Sequence, residues 1–185
     1  MLRFLKSLWR DRQGVAATEF ALIAPALIIL FYGTFEASRF LLISQKAEKL
    51  AFASSDVIAQ SSTVTTAELN AMLDATVHVM NPYAFGPSGV VIVSSIYRAP
   101  GSTNPTIAWQ RKGGGTLNKN SLLGTQGSRP TLPTGLTLAE RDNIIVAEVY
   151  YNFVPLFTGA VFAPSTIYQR AFFKPRLGAL NTAPG

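Results

Sequence analysis

The chain contains no cysteine, which excludes disulfides, thiolate nucleophiles and thiolate metal sites. It has one histidine, His78, beside an apolar helical face and without a local metal-ligand companion, so it reads as an ordinary side chain. No Gly-x-Ser-x-Gly elbow is present. Gly113-Gly114-Gly115 reads as a flexible turn, because it lacks the lysine, serine and strand-to-helix context of a phosphate loop. Glu140 and Asp142 flank Arg141 and read as the solvated start of a strand. Glu148, beside Tyr150, reads as part of a polar interior or, by preference, as a carboxylate on an exposed sheet face opposite Arg170. These absences argue against an enzyme, and they imply no cofactor or metal. Charge is sparse, at 14% of residues, and the net charge is +6. Arg3, Lys6, Arg10 and Arg12 against Asp11 put half of that excess near the N-terminus. Arg111-Lys112 is the one adjacent basic pair beyond it, and no basic stripe interleaves with aromatics, which argues against nucleic-acid binding.

Apolar residues are abundant, at 48% with a mean hydropathy of +0.25. Val15 to Phe35 is an apolar run in which Glu19 is the only formal charge. Its 21 residues span about 31 Å as a helix, which matches a bilayer core of roughly 30 Å. A carboxylate at the centre of such a helix costs about 2.5–3.5 kcal/mol, and less near an interface. Glu19 sits little more than one turn into the run, where the positive end of the helix dipole also favours it. Pro25 removes a backbone hydrogen bond to Ala21 and is expected to kink or loosen the helix. Three regions follow: a basic leader over 1–14, a transmembrane helix over 15–35, and an extracytoplasmic domain over 36–185. Charge density in the leader favours a cytoplasmic N-terminus.

Gly14, four residues, then Glu19 and Phe20 resemble the type IV prepilin signal. The string from Gly14 to Leu22 is similar to the TadE-like family of tight-adherence (Flp) pilus biogenesis, a likeness that is strong over 12–40 and diffuse beyond. The resemblance implies cleavage by a prepilin peptidase between Gly14 and Val15, and a pilin-like α+β domain. It implies as partners other pilins or pseudopilins, the inner-membrane platform of the Tad machine and the lipid bilayer. Major pilins of these systems usually carry tyrosine after the glutamate; Phe20 here fits a minor pilin or pseudopilin. Cleavage would create an ammonium at Val15, costly to bury unpaired among apolar helices. Glu19 of a staggered neighbour could pair with it and set axial register, as a buried polar residue does in a coiled coil. The expected location is the bacterial inner membrane, with the domain in the periplasm and the subunit available to an extracellular pilus. Two alternatives stand beside this: an uncleaved single-pass scaffold, and a secreted ligand-binding module whose signal is removed beyond Phe35. A mature N-terminus at Val15, at Met1 or after Phe35 separates the three.

Beyond the run, Phe40, Ile43, Ala47, Leu50 and Val57 fall at helical steps, so the helix is expected to continue as an amphipathic one. Thr65 and Glu68 form a capping box ahead of a second, short helix faced by Leu69, Met72, Leu73, Thr76, Val77 and Met80, ended by Asn81-Pro82. Strands are expected over 90–98, 106–112, 143–154 and 165–174 from their β-branched and alternating composition. Residues 116–133 are loop-like and expected to be the most mobile region. Tyr97, Trp109, Tyr150 and Tyr168 are candidates for an interface or for the core. The fold class is α+β: a long N-terminal helix, membrane-spanning and then amphipathic, a short second helix, and a small antiparallel sheet of about three to five strands.

Overall fold

The architecture comes from a computed structural model, which describes residues 13–156 and 163–185. The leader residues Arg3, Lys6, Arg10, Asp11 and Arg12 lie outside the described residues. Helix α1 spans Gln13–Ala59 and is continuous through Pro25. Helix α2 spans Thr66–Val77 and leads into a 3-10 turn, His78–Met80. Strands β1 (Gly89–Tyr97), β2 (Thr106–Gly113), β3 (Asn143–Phe153) and β4 (Ser165–Phe173) form one antiparallel sheet in the order β2-β1-β3-β4. The expected α+β plan is therefore observed, with each strand boundary within one residue of its expected place.

The chain divides into two compact units, Met1–Arg39 with Pro155–Ala163, and Phe40–Val154 with Pro164–Gly185. In the second, one face of the sheet packs on the amphipathic half of α1. Val91, Val93, Trp109, Ile145, Ala147, Val149 and Phe153 meet Ile43, Ala47, Leu50, Ala51 and Ile58 in one buried cluster. Burial along α1 steps 43, 47, 51, 54, 58, so Ile58 lies inside at 0% exposure while Val57 is 37% exposed. One residue further is about 100° around the helix, enough to turn Val57 outward. Phe40 packs edge to face on Phe153, with ring centroids 5.3 Å apart. The start of α2 is the expected capping box: Thr65 Oγ1 accepts from Glu68 N, and Glu68 Oε2 accepts from Thr65 N at 2.9 Å.

The opposite sheet face is also covered, by the long β2–β3 connection. Leu123 and Leu138 are buried against Ile96, Ile107, Ile144 and Val146, and Leu117 packs on Val90, Ile92 and Tyr150. Residues 116–133 thus pack on the sheet through Leu117 and Leu123. The cover begins at the three glycines. Gly114 has φ +71°, and a Cβ on Gly115 would fall 2.2 Å from the Gly89 carbonyl oxygen. Backbone meets backbone there, with Thr116 N donating to Gly86 O at 2.9 Å and Leu117 N to Gly89 O at 3.1 Å. The glycines expected as a flexible turn are a close approach that only glycine permits. At the outer border of β2, Ile107 N donates to Ser128 O and Gly127 N to Ile107 O.

The segment after β4 is pinned to the first face by a buried polar knot. Trp109 Nε1 and Ser95 Oγ both donate to Leu180 O, at 2.7 and 2.6 Å, and Leu180 N donates to Asn143 Oδ1 at 2.8 Å. Asn143 Nδ2 completes the knot on Ser95 Oγ and Ile96 O. These bonds satisfy polar groups that burial would otherwise penalise.

Candidate functional site

The N-terminal part of α1 is apolar and exposed. Its most apolar 18-residue window has a mean hydropathy of 2.1 and is 0% buried, so α1 is long and apolar enough to cross a membrane. Phe20, Leu22, Leu30 and Phe31 are each more than 60% exposed. Serine and threonine hydroxyls within this helix turn back onto it: Thr18 Oγ1 donates to Val15 O and Thr34 Oγ1 to Leu30 O, both at 2.8 Å. Such back-bonding hides polar groups where water is absent.

Gly14, Val15 and Glu19 all lie on the first two turns of this described helix, and all are exposed. Nothing stands within 4 Å of where a Gly14 Cβ would be. Glycine inside a helix costs roughly 1 kcal/mol relative to alanine, and packing within the chain does not demand it here. Among the described residues Glu19 has no hydrogen bond or ion pair. It lies four residues beyond Val15, about 6 Å along the axis. Pro25 sits within the same helix, one and a half turns further on.

At the end of the run a second carboxylate behaves differently. Glu36 is 2% exposed. Its Oε1 accepts from the backbone N of Leu156 at 2.8 Å, and its Oε2 pairs with Arg39 Nη1 at 2.8 Å. Sequence reasoning passed over Glu36; the signal was an acid bordering the apolar run with an arginine three residues on.

The third carboxylate of interest, Glu148, is fully buried at 0% exposure and not on an open sheet face. It does stand opposite Arg170 in the β3–β4 register. Leu122 N donates to it at 3.0 Å, Tyr168 Oη at 2.9 Å and Tyr150 Oη at 3.3 Å, and Ser121 Oγ also donates. Leu122 N and the two tyrosine hydroxyls share Oε1, and Ser121 Oγ bonds Oε2, so both carboxylate oxygens are held. Burial, and then the negative charge of Glu148, push both tyrosine hydroxyls well above the usual phenol range. The cluster fastens the β2–β3 cover to the sheet.

The other candidate groups lie apart from these. His78 is exposed. Asp142 bonds Lys174 Nζ at 2.5 Å and Ala139 N at 3.1 Å, and the Lys174 hydrogen bond, with help from Ala139, holds its carboxyl below the usual range. A cavity of about 320 Å³ at the end of the sheet is lined by Pro105, Pro130, Pro133 and Leu136. Arg98 at its edge already donates to Ser102 O and Leu138 O. Trp109 and Tyr150 prove to be core residues, at 1% and 5% exposure.

Compared with known proteins, residues 14–55 match the family model described as TadE-like protein. No curated protein and no solved structure matches the chain. The match begins at Gly14, takes in Val15, Glu19 and Pro25, and ends within the amphipathic half of the helix. Over residues 14–55 the chain is therefore similar to TadE-like proteins.

Proposed function

We propose that the protein is a minor pilin or pseudopilin of a tight-adherence pilus system, cut by a prepilin peptidase between Gly14 and Val15 and assembled through α1. The observation that carries this is the start of the TadE-like match at Gly14, on a helix whose lone acid in the run, Glu19, is exposed and unpaired among the described residues. Cleavage frees an ammonium at Val15. A staggered neighbour's Glu19 pairs with it, and each charge lowers the cost of burying the other. The exposed apolar face of α1 first spans the inner membrane and then packs among other pilin helices. The leader is cytoplasmic, and the sheet domain is periplasmic and joins the machine or fibre as a structural part without a catalytic task.

The test is the mass of the protein recovered from cells with a working prepilin peptidase and from cells without one. A product beginning at Val15 only when the peptidase is present is expected. An unchanged chain from Met1 in both would overturn the processing step and leave a tethered scaffold. A start beyond Phe35 would replace the proposal with a secreted module.

A further inference from the structure

We propose that Leu156, where the β3–β4 connection begins, makes a second lipid contact at the membrane boundary that α1 crosses. This rests on α1 spanning a bilayer, and on three observations.

The first is placement. Glu36 is the residue that directly follows the apolar run Val15–Phe35, and at 1.5 Å per residue it stands about 31 Å from Val15 along the axis. Its Oε1 accepts from Leu156 N at 2.8 Å. The backbone of Leu156 is therefore held at the level where the run ends, within the zone between hydrocarbon and headgroups. Glu36 is buried and also paired with Arg39, so this tie is not a loose surface contact. A charge-assisted bond to a buried carboxylate is among the stronger hydrogen bonds.

The second is exposure. Leu156 is 62% exposed, close to Phe31 at 66% and above Phe35 at 43%. A leucine side chain gains roughly 1.5–3 kcal/mol when fully removed from water, and a boundary leucine obtains much of that from acyl chains. The third is composition. From Val154 to Pro164 the sequence holds no charged side chain, and threonine is the lone hydrogen-bonding one. Charge at the edge of hydrocarbon is penalised, and the sequence beside Leu156 brings none there. Lipid is favoured over a second copy because Leu156 is tied at the end of the run, whose apolar window is 0% buried within the chain and faces hydrocarbon in a spanning helix.

The chain has no cysteine, so a single introduced one labels uniquely. Full-length Leu156→Cys, Phe31→Cys and Asn104→Cys would each carry an environment-sensitive fluorophore in vesicles of phosphatidylcholine and phosphatidylglycerol, with or without lipids spin-labelled near the headgroup. Asn104 is exposed and serves as the aqueous reference. Quenching at Leu156→Cys at least threefold greater than at Asn104→Cys, with Phe31→Cys also quenched, is expected. Quenching at Phe31→Cys with Leu156→Cys no better than Asn104→Cys would overturn the lipid contact and leave the membrane helix standing. A blue-shifted but unquenched label at 156 would mean that protein covers it, and would also overturn the proposal. No quenching at Phe31→Cys would overturn the spanning helix and this contact together.

Discussion

Three glutamates show how one residue type takes its role from what surrounds it. Glu19 is exposed on an apolar helix with no partner among the described residues, Glu36 is buried with one backbone donor and one arginine, and Glu148 is buried with four donors. A carboxylate held by several donors is fixed in place, whereas Glu19 meets no such donor among the described residues. The tyrosines on Glu148 give a prediction with a definite sign. Their hydroxyls titrate above the phenol value of about 10 that an unfolded chain has. Stability is therefore fully present below that value, and it falls as pH rises and the unfolded chain sheds protons the folded one keeps. Tyr168→Phe removes one of the four donors and should cost about 1 kcal/mol near neutral pH. It should also flatten the alkaline loss of stability, as followed by urea midpoints from pH 8 upward. An unchanged alkaline slope would contradict this account of the cluster.

Among the elements, the sharpest constraint is where the three glycines enter the cover. A methyl group on Gly115 would meet the Gly89 carbonyl oxygen at 2.2 Å and that of Gly86 at 2.7 Å. Backbone cannot rotate away as a flexible side chain would, so Gly115→Ala should cost about 2 kcal/mol or more. Gly14→Ala has open space around it and should leave the melting temperature of the domain unchanged. Thermal melts of the two variants side by side check the contrast. Helices and strands were legible in the chain because their signals are local. The Thr65–Glu68 box, the β-branched run at Val90 and the alternation after Asn143 each state their element within about ten residues. The cover was not legible, because a loop that packs through Leu117, Leu123 and Leu138 has no period to detect. One sign of it was present: Ile144, Val146 and Tyr150 share the Glu148 side of β3, and a strand apolar on both faces must be buried on both. The helix that carries Gly14, Val15, Glu19 and Pro25 was legible, and the family match runs over it. Glu36 was not, because its partner Leu156 lies 120 residues away in the chain.

At the scale of the whole molecule, membrane and sheet demands fall on different stretches of chain. Phe40–Val154 with Pro164–Gly185 forms a unit by itself, and its core draws on α1 only from Ile43 onward. A fragment from Phe40 to Gly185 should therefore stay in solution without detergent and melt in one cooperative transition. Calorimetry together with light scattering checks this, and aggregation without a melt would show that the preceding run is needed for folding. The borders of the sheet carry a last consequence. β2 exposes Lys112 and has its outer side partly occupied by Gly127 and Ser128, and β4 carries Arg170. Cations and an occupied flank are the devices by which edge strands refuse a new strand from another chain. Polymers of this protein should thus grow by stacking helices and not by strand donation, and a fibre built from it would contain no continuous cross-subunit β-ribbon.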